Sequence, residues 1–189
     1  MGQYWQGGLL NVSAKVQKNE KGIEITDAVV EFSACAHDVG HGLKLMEHSW
    51  LKSTYLNLFV KRLREKPARV VWAGDYGDEF TINGEQAYYY LGDNESNVAD
   101  EKVDTPEPRY LINYDKKEFV DTTKGRTDDY GWVIHPLPLL TANSNDRGGG
   151  DYHYENPFVG SWYADTIGAT DKLPNDMTLT EIIPDFFED

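Results

Sequence analysis

The sequence predicts an α+β fold, a mainly antiparallel sheet with one principal amphipathic helix over about residues 42–66, in a single domain spanning 1–189. Three observations carry this. Period-two alternation of apolar side chains marks strands early in the chain, a single stretch shows three- and four-residue spacing, and no repeat or low-complexity linker divides the chain. With 40% apolar residues, 5 Trp, 12 Tyr and 7 Phe in 189 residues, the chain can bury a core without disulfide or metal staples.

The elements follow in order. Leu10, Val12, Ala14 and Val16 alternate with Asn11, Ser13 and Lys15, the pattern of a half-buried strand, and Asn19-Glu20-Lys21-Gly22 supplies a turn. Ile23, Ile25, Val30 and Phe32 continue as a second strand bent near Asp27, so residues 9–33 read as an antiparallel hairpin. From Gly42 the spacing becomes helical through Leu43, Met46, Trp50, Leu56, Phe59, Val60 and Leu63. Lys61, Arg62, Arg64 and Lys66 gather where cations suit a helix C-terminus, and Pro67 ends it. Arg69–Ala73 reads as a short buried strand stopping at Gly74.

Gln86–Leu91 fits either a helical turn or a strand, and residues 93–108 read as loop. Tyr110–Tyr114 and Glu118–Asp121 form a second hairpin around Asp115-Lys116-Lys117. Gly131–His135 predicts another strand, closed by Pro136 and Pro138. Residues 143–151 read as loop because Gly148-Gly149-Gly150 loses too much entropy inside an element. Residues 162–169 and 178–183 complete the sheet or pack on its edge.

Charge is the strongest functional signal. Asp plus Glu number 32 against 18 Lys plus Arg, a formal net charge of -14, which repels nucleic-acid phosphates and anionic membranes and attracts a basic protein surface. Residues 75–107 hold ten carboxylates, Asp75, Asp78, Glu79, Glu85, Asp93, Glu95, Asp100, Glu101, Asp104 and Glu107, against one cation, Lys102. The first eight of these, Asp75 to Glu101, together with Tyr88, Tyr89 and Tyr90 and with the loop rings Tyr152 and Tyr154, form the candidate partner-binding set, since tyrosine supplies rigid amphipathic area at small entropy cost. Cys35 has no cysteine to pair with and sits in an apolar run, the setting of a buried inert thiol. The opening residues lack the pattern of a signal peptide or a myristoylation site and no apolar run reaches spanning length, so a cytoplasmic location is expected.

A second constellation is Cys35-Ala36-His37-Asp38-Val39-Gly40-His41, followed by Glu47 and His48. On one continuous helix His37, His41 and His48 share a face at offsets of four and seven, as paired histidines do when they hold a divalent metal. Ala36-His37-Asp38-Val39-Gly40-His41-Gly42 resembles the central motif of HD-type metal-dependent phosphohydrolases. That resemblance implies that the adjacent His37-Asp38 pair contributes metal ligands, and the cluster as a whole gives the alternative of a metal-dependent hydrolase built on His37, Asp38, His41 and His48, with Glu47 as general base and a metal-bound water as nucleophile. Against it, that fold is all helical and takes a further histidine from an earlier helix, whereas residues 1–36 hold none. Gly40 and Gly42 also interrupt the helix. The competing reading is a glycine-assisted strand-to-helix turn with Asp38 near the cap and Glu47 and His48 on a polar helix face.

Other chemistry is excluded more directly. The triple glycine lacks the Lys-Ser/Thr of a phosphate loop and is flanked by Asp146 and Asp151. Asn143, Asn145, Asp146 and Asp151 do not have EF-hand spacing. No nucleophile elbow is present, and Cys35 has His37 only two residues away.

The C-terminal half resembles a family of short bacterial and phage or mobile-element proteins that has no assigned activity. The matching residues are Tyr110-Leu111-Ile112-Asn113 with Lys116, Lys117 and Glu118, then Pro138-Leu139-Leu140-Thr141, Arg147–Tyr152, and Val159-Gly160-Ser161-Trp162 with Asp165 and Ile167. The resemblance implies the cytoplasm of a bacterium or a phage-infected cell, and by analogy an inhibitor or counter-defence factor. The expectation is therefore a non-enzymatic acidic protein, without cofactor, that occludes a basic partner surface such as that of a nucleic-acid-binding enzyme. It binds neither nucleic acid nor membrane directly. The metal-dependent hydrolase and a structural or assembly protein are the alternatives.

Overall fold

The computed structural model describes residues 3–50, 53–102, 107–125, 131, 133–143 and 156–186. Eleven strands and four α-helices lie in these segments. The strands are β1 (Trp5–Leu10), β2 (Lys15–Lys18), β3 (Ile23–Thr26), β4 (Val30–Ala34), β5 (Ala68–Gly74), β6 (Phe80–Ile82), β7 (Glu85–Gln86), β8 (Tyr110–Asn113), β9 (Glu118–Asp121), β10 (Thr166–Thr170) and β11 (Thr180–Glu181). The helices are α1 (Leu45–His48), α2 (Thr54–Glu65), α3 (Ala87–Asp93) and α4 (Leu137–Leu140). The fold is α+β, as expected.

Seven strands form a sheet in the order β11-β9-β8-β10-β5-β1-β4, antiparallel except for the β11–β9 pair. The other four form a smaller sheet, β2-β3-β6-β7, in which β3 and β6 run parallel. The hairpin expected over residues 9–33 belongs to both sheets. Leu9 and Leu10 pair with Phe32 and Val30 in the large sheet, whereas Lys15–Lys18 pair with Thr26–Ile23 in the small one. At the bend Asp27 takes a left-handed φ of 53°. Asn11 pins the corner: its side-chain oxygen accepts from Val29 N at 2.7 Å and its amide donates to Asp27 O at 3.2 Å.

β5 is the axis of the molecule. Val70 and Trp72 face a core that includes Leu9, Phe32, Tyr55, Phe59 and Leu63, while Val71 and Ala73 face a second that includes Ile25, Ile82, Leu91 and Tyr163. Burial on both faces is why Val70-Val71-Trp72-Ala73 reads as an uninterrupted apolar run. Next to it, β1 carries Gly7 and Gly8, where backbone and neighbouring side chains approach closely. A Cβ on Gly7 would meet the Trp72 ring at 2.7 Å, and one on Gly8 would meet Leu91 Cδ2 at 2.3 Å.

Three expectations are corrected. The helix expected over 42–66 is two helices, because Ser53 is extended and its hydroxyl caps α2, accepting from Leu56 N at 3.0 Å. Gly131–His135 makes no ladder among the described residues. Ile134 forms a single bridge to Trp50 and His135 N donates to Ser49 O, with Trp132 outside the described residues. Residues 162–164 form turns, and β10 starts only at Thr166, after Ala164 at φ 64°. Gln86–Leu91 resolves mainly as α3, and the 110–121 hairpin forms as expected, its turn held by Asn113 Oδ1 accepting from the amides of Asp115 and Lys116. Among the described residues no helix is long and apolar enough to cross a membrane.

The Gly8–Leu91 contact generates a prediction. Gly8→Ala should destabilise the fold by about 1–3 kcal/mol through overpacking, and Leu91→Ala in the same chain should cost less than the two single changes added together. Urea unfolding of the wild type, both single variants and the double variant measures this.

Candidate functional site

β5 ends in a turn that organises the acidic segment. Gly74 and Gly77 let side chains pack close there: a Cβ on Gly74 would lie 2.2 Å from Gln3 Nε2, and one on Gly77 would lie 2.5 Å from Asn143 Nδ2, so either would displace an amide side chain. Between them, Asp75 ties three elements together. Its carboxylate accepts from Tyr4 N at 3.0 Å, its amide donates to Tyr4 O at 3.0 Å, and its carbonyl accepts from Gln86 Nε2 at 3.0 Å, just ahead of α3. These bonds bring the start of β1 and the start of α3 to the same turn.

The result is a surface of tyrosines among carboxylates. Tyr4, Tyr76 and Tyr89 are 47%, 59% and 56% exposed. Tyr88, half-buried, packs edge-on against Tyr89 at 5.2 Å. Its hydroxyl is pushed up to about 12, first by burial and then by the negative groups near it, Asp75 and Glu95 among them. Asp78, Glu79, Glu85 and Asp93, each within four residues of Tyr76 or Tyr89 in the chain, are exposed and make no ion pair among the described residues. Lys44 Nζ lies 4.8 Å from the centre of the Tyr4 ring, a cation–π contact at the edge of the patch.

Not every residue expected in the partner-binding set belongs to this surface. Glu101 is engaged internally: Arg62 binds it through both carboxylate oxygens at 2.7 and 2.8 Å and Lys61 at 3.4 Å, tying the acidic loop to α2 and holding its carboxyl below the usual range. Asp100, its neighbour, is exposed. Glu95 accepts from the buried Gln6 at 3.1 Å, so it is partly structural. Tyr90 is half-buried against the second core and its hydroxyl accepts from Asn83 Nδ2 at 2.8 Å, leaving Tyr89 as the outward ring of the three. Tyr152 and Tyr154 lie outside the described residues, as do Arg147–Asp151. Tyr4 is the residue that sequence reasoning misses. It reaches the patch through Asp75, far along the chain, and no local pattern signals that contact.

The histidine cluster does not form the face that a continuous helix would give it. Ala36–Val39 is a single 3₁₀ turn ended by Gly40 at φ 78°, so His37 and Asp38 lie on that turn while His41 follows it, outside any helix and ahead of α1. His37 and Asp38 are exposed, Cys35 and His41 half-buried, and burial pushes the Cys35 thiol up. Glu47 caps α1, its carboxylate accepting from Lys44 N at 3.2 Å. His48 is wholly buried rather than on a polar face. Its Nε2 donates to Gly42 O at 3.0 Å and its Nδ1 accepts from Trp72 Nε1 at 3.0 Å, so both ring nitrogens are engaged and the ring is neutral. Serving as a metal ligand would break one of these bonds. Among the described residues no group of three or more His, Cys, Asp or Glu is placed to hold a metal ion.

Comparison with protein-family models, with curated proteins and with solved structures finds no match. The surface chemistry therefore stands on its own geometry.

Buried histidines generate a pH prediction. Burial lowers His48 and His135 from 6.5 to about 3. Unfolding lets both take up protons, so their share of stability is fully present above about pH 6.5 and is lost as the pH falls towards 3, at about 1.4 kcal/mol per histidine for each pH unit. Thermal melts from pH 7 to pH 4 should show this decline, and His48→Gln should make it shallower.

Proposed function

We propose that this protein is a non-enzymatic binding protein that covers a basic surface on a partner protein, such as the nucleic-acid groove of an enzyme, in a bacterial or phage-infected cell. The observation that carries the reading is where carboxylates lack cations. Among the described residues, Asp75, Asp78, Glu79, Glu85, Asp93, Glu95 and Asp100 make no ion pair and only Glu101 beside them does, whereas elsewhere Asp27, Glu31, Asp115, Asp121, Asp165, Asp171 and Glu181 are ion-paired and Glu20, Glu24, Asp38, Glu47, Glu65, Glu118 and Asp176 are not. The uncompensated charge shares its segment of the chain with exposed Tyr76 and Tyr89, the combination that interfaces use when aromatic anchors supply affinity and charge supplies orientation and speed of encounter.

The mechanism is occlusion. Asp78, Glu79, Glu85 and Asp93 pair with lysines and arginines that otherwise contact phosphates, while Tyr76 and Tyr89 supply area that loses water on contact. Asp75 acts by positioning, since its hydrogen bonds hold the turn and Tyr4 in place.

The test begins with a partner captured on the tagged protein from a host-cell lysate and assayed for nucleic-acid binding. Addition of this protein should release nucleic acid from that partner, with an effect that weakens steeply as salt rises. Reversing Asp78, Glu79, Glu85 and Asp93 to Lys should abolish the release. Tyr89→Ala should weaken association by about 2 kcal/mol with little change in thermal stability. Release that is unaffected by the four reversals would reject the reading.

A further inference from the structure

Asn83 is the only asparagine in the sequence that a glycine follows. The side-chain amide of an asparagine is open to attack by the backbone nitrogen of the next residue, and a glycine there, having no Cβ, hinders that attack least. Asn83 and Gly84 form the two-residue turn between β6 and β7. Ile82 pairs with Glu85 across it, and φ is 50° at Asn83 and 87° at Gly84, the positive values that a type I′ turn requires. Both residues are exposed, and nothing lies within 4 Å of the place a Cβ on Gly84 would take, so water reaches the turn.

The same side chain is a junction. Asn83 Oδ1 accepts from Ala28 N at 3.1 Å, and Asn83 Nδ2 donates to Ala28 O at 2.8 Å and to the Tyr90 hydroxyl at 2.8 Å. The Asn83 backbone nitrogen donates to Ile25 O at 2.7 Å. One amide thus joins the β6–β7 turn to the corner before β4 and to α3. Its anchors are firm, since Ala28 is buried and Tyr90 packs against the second core. Ring closure needs Asn83 Cγ to turn onto the Gly84 nitrogen and Nδ2 to depart, and the bonds to Ala28 and Tyr90 oppose both. The folded turn therefore protects a pair that its composition makes reactive.

We propose that Asn83-Gly84 is a self-modification site, a spontaneous deamidation that the fold holds back and that proceeds when the turn opens. The Gly84 nitrogen forms a bond to Asn83 Cγ, the Cγ–Nδ2 bond breaks, and Nδ2 leaves as ammonia with the proton of the Gly84 amide. Water then opens the resulting succinimide at either carbonyl, breaking that carbon's bond to nitrogen and leaving an aspartyl or an isoaspartyl residue. Either product undoes the junction. A carboxylate sets an acceptor against Ala28 O where Nδ2 donated, and an isoaspartyl link adds a main-chain carbon to a turn whose two-residue length sets the Ile82–Glu85 register. The change is one-way and loosens the small sheet from the β4 corner and α3. It stands apart from the partner-binding reading, since it uses none of the carboxylates assigned to that surface.

The experiment keeps the full chain in warm, mildly alkaline buffer, folded or in guanidinium chloride, and follows every asparagine-containing peptide by mass and by chromatographic separation of isoaspartyl forms. In denaturant, Asn83 should convert ahead of every other asparagine and give both products. In the folded protein its conversion should be at least about tenfold slower. Tyr90→Phe removes one acceptor of Nδ2 and should speed conversion at Asn83 several-fold in the folded protein, leaving the denatured rate and the rates of the other asparagines unchanged. Asn83→Asp, which supplies one product directly, should melt at a lower temperature than the wild type. The proposal is overturned if another asparagine leads in denaturant, if folding does not slow Asn83, if Tyr90→Phe leaves its folded rate unchanged or speeds all asparagines alike, or if Asn83→Asp melts with the wild type.

Discussion

Trp72 is the side chain around which the molecule closes. It lies on the central strand, fully buried, with its ring against the bare backbone of Gly7 and its indole N–H directed at His48. A buried indole needs an acceptor, and His48 supplies one only as the tautomer that donates from its far nitrogen to Gly42 O. Tyr55 completes the arrangement from α2: its hydroxyl accepts from Gly7 N and donates to Ala34 O, so the helix is bonded to the backbone of two strands. Rings of His48, Tyr55, Phe59 and Trp72 meet one another at 4.6 to 6.1 Å. Helix, sheet and the loop before α1 are thus fixed by two short hydrogen-bonded chains inside one aromatic cluster.

The surface shows a corresponding division of charge. Arginines are placed where one side chain makes several contacts. Arg62 lies 3.5 Å above the Phe32 ring, bonds Leu58 O and binds Glu101, while Arg109 forks onto Asp121 and sits 5.0 Å from the Tyr110 ring. The fork holds Asp121 down to about 2. With so many cations engaged in joining elements, a strongly acidic sequence does not produce an evenly acidic exterior. The imbalance falls on the stretch after β5, where two amide side chains and two glycines dictate the path of the backbone.

Much of this was legible in the sequence, and the failures have specific causes. Alternation locates the first hairpin, Asp27 marks its bend, and the turn at Asp115-Lys116-Lys117 follows from residue type, because each of these depends on neighbours close in the chain. The helix was overextended because apolar spacing continued across Ser49 and Ser53; the hydroxyl of Ser53 capped α2 instead of pointing to solvent. His48 looked polar because its chain neighbours are polar, whereas its true partner, Trp72, is on a strand and out of reach of local pattern. Gly131–His135 has strand composition, but Ile134 and His135 contact Trp50 and Ser49 without entering a sheet. The acidic concentration is visible in composition alone, but its sorting into structural carboxylates such as Glu101 and open ones such as Glu85 depends on which cations the fold brings near.

The outer strand of the large sheet has a further consequence. Beyond β4, Ser96 behaves as a one-residue strand: its amide donates to Ser33 O at 2.7 Å and its hydroxyl accepts from Ser33 N at 3.4 Å. At the opposite margin β11 is only two residues long, and the small sheet ends in Lys15 and Lys18 on β2. Neighbouring molecules in a concentrated solution are therefore offered few backbone groups to zip onto, so the fold resists growing into stacked ribbons.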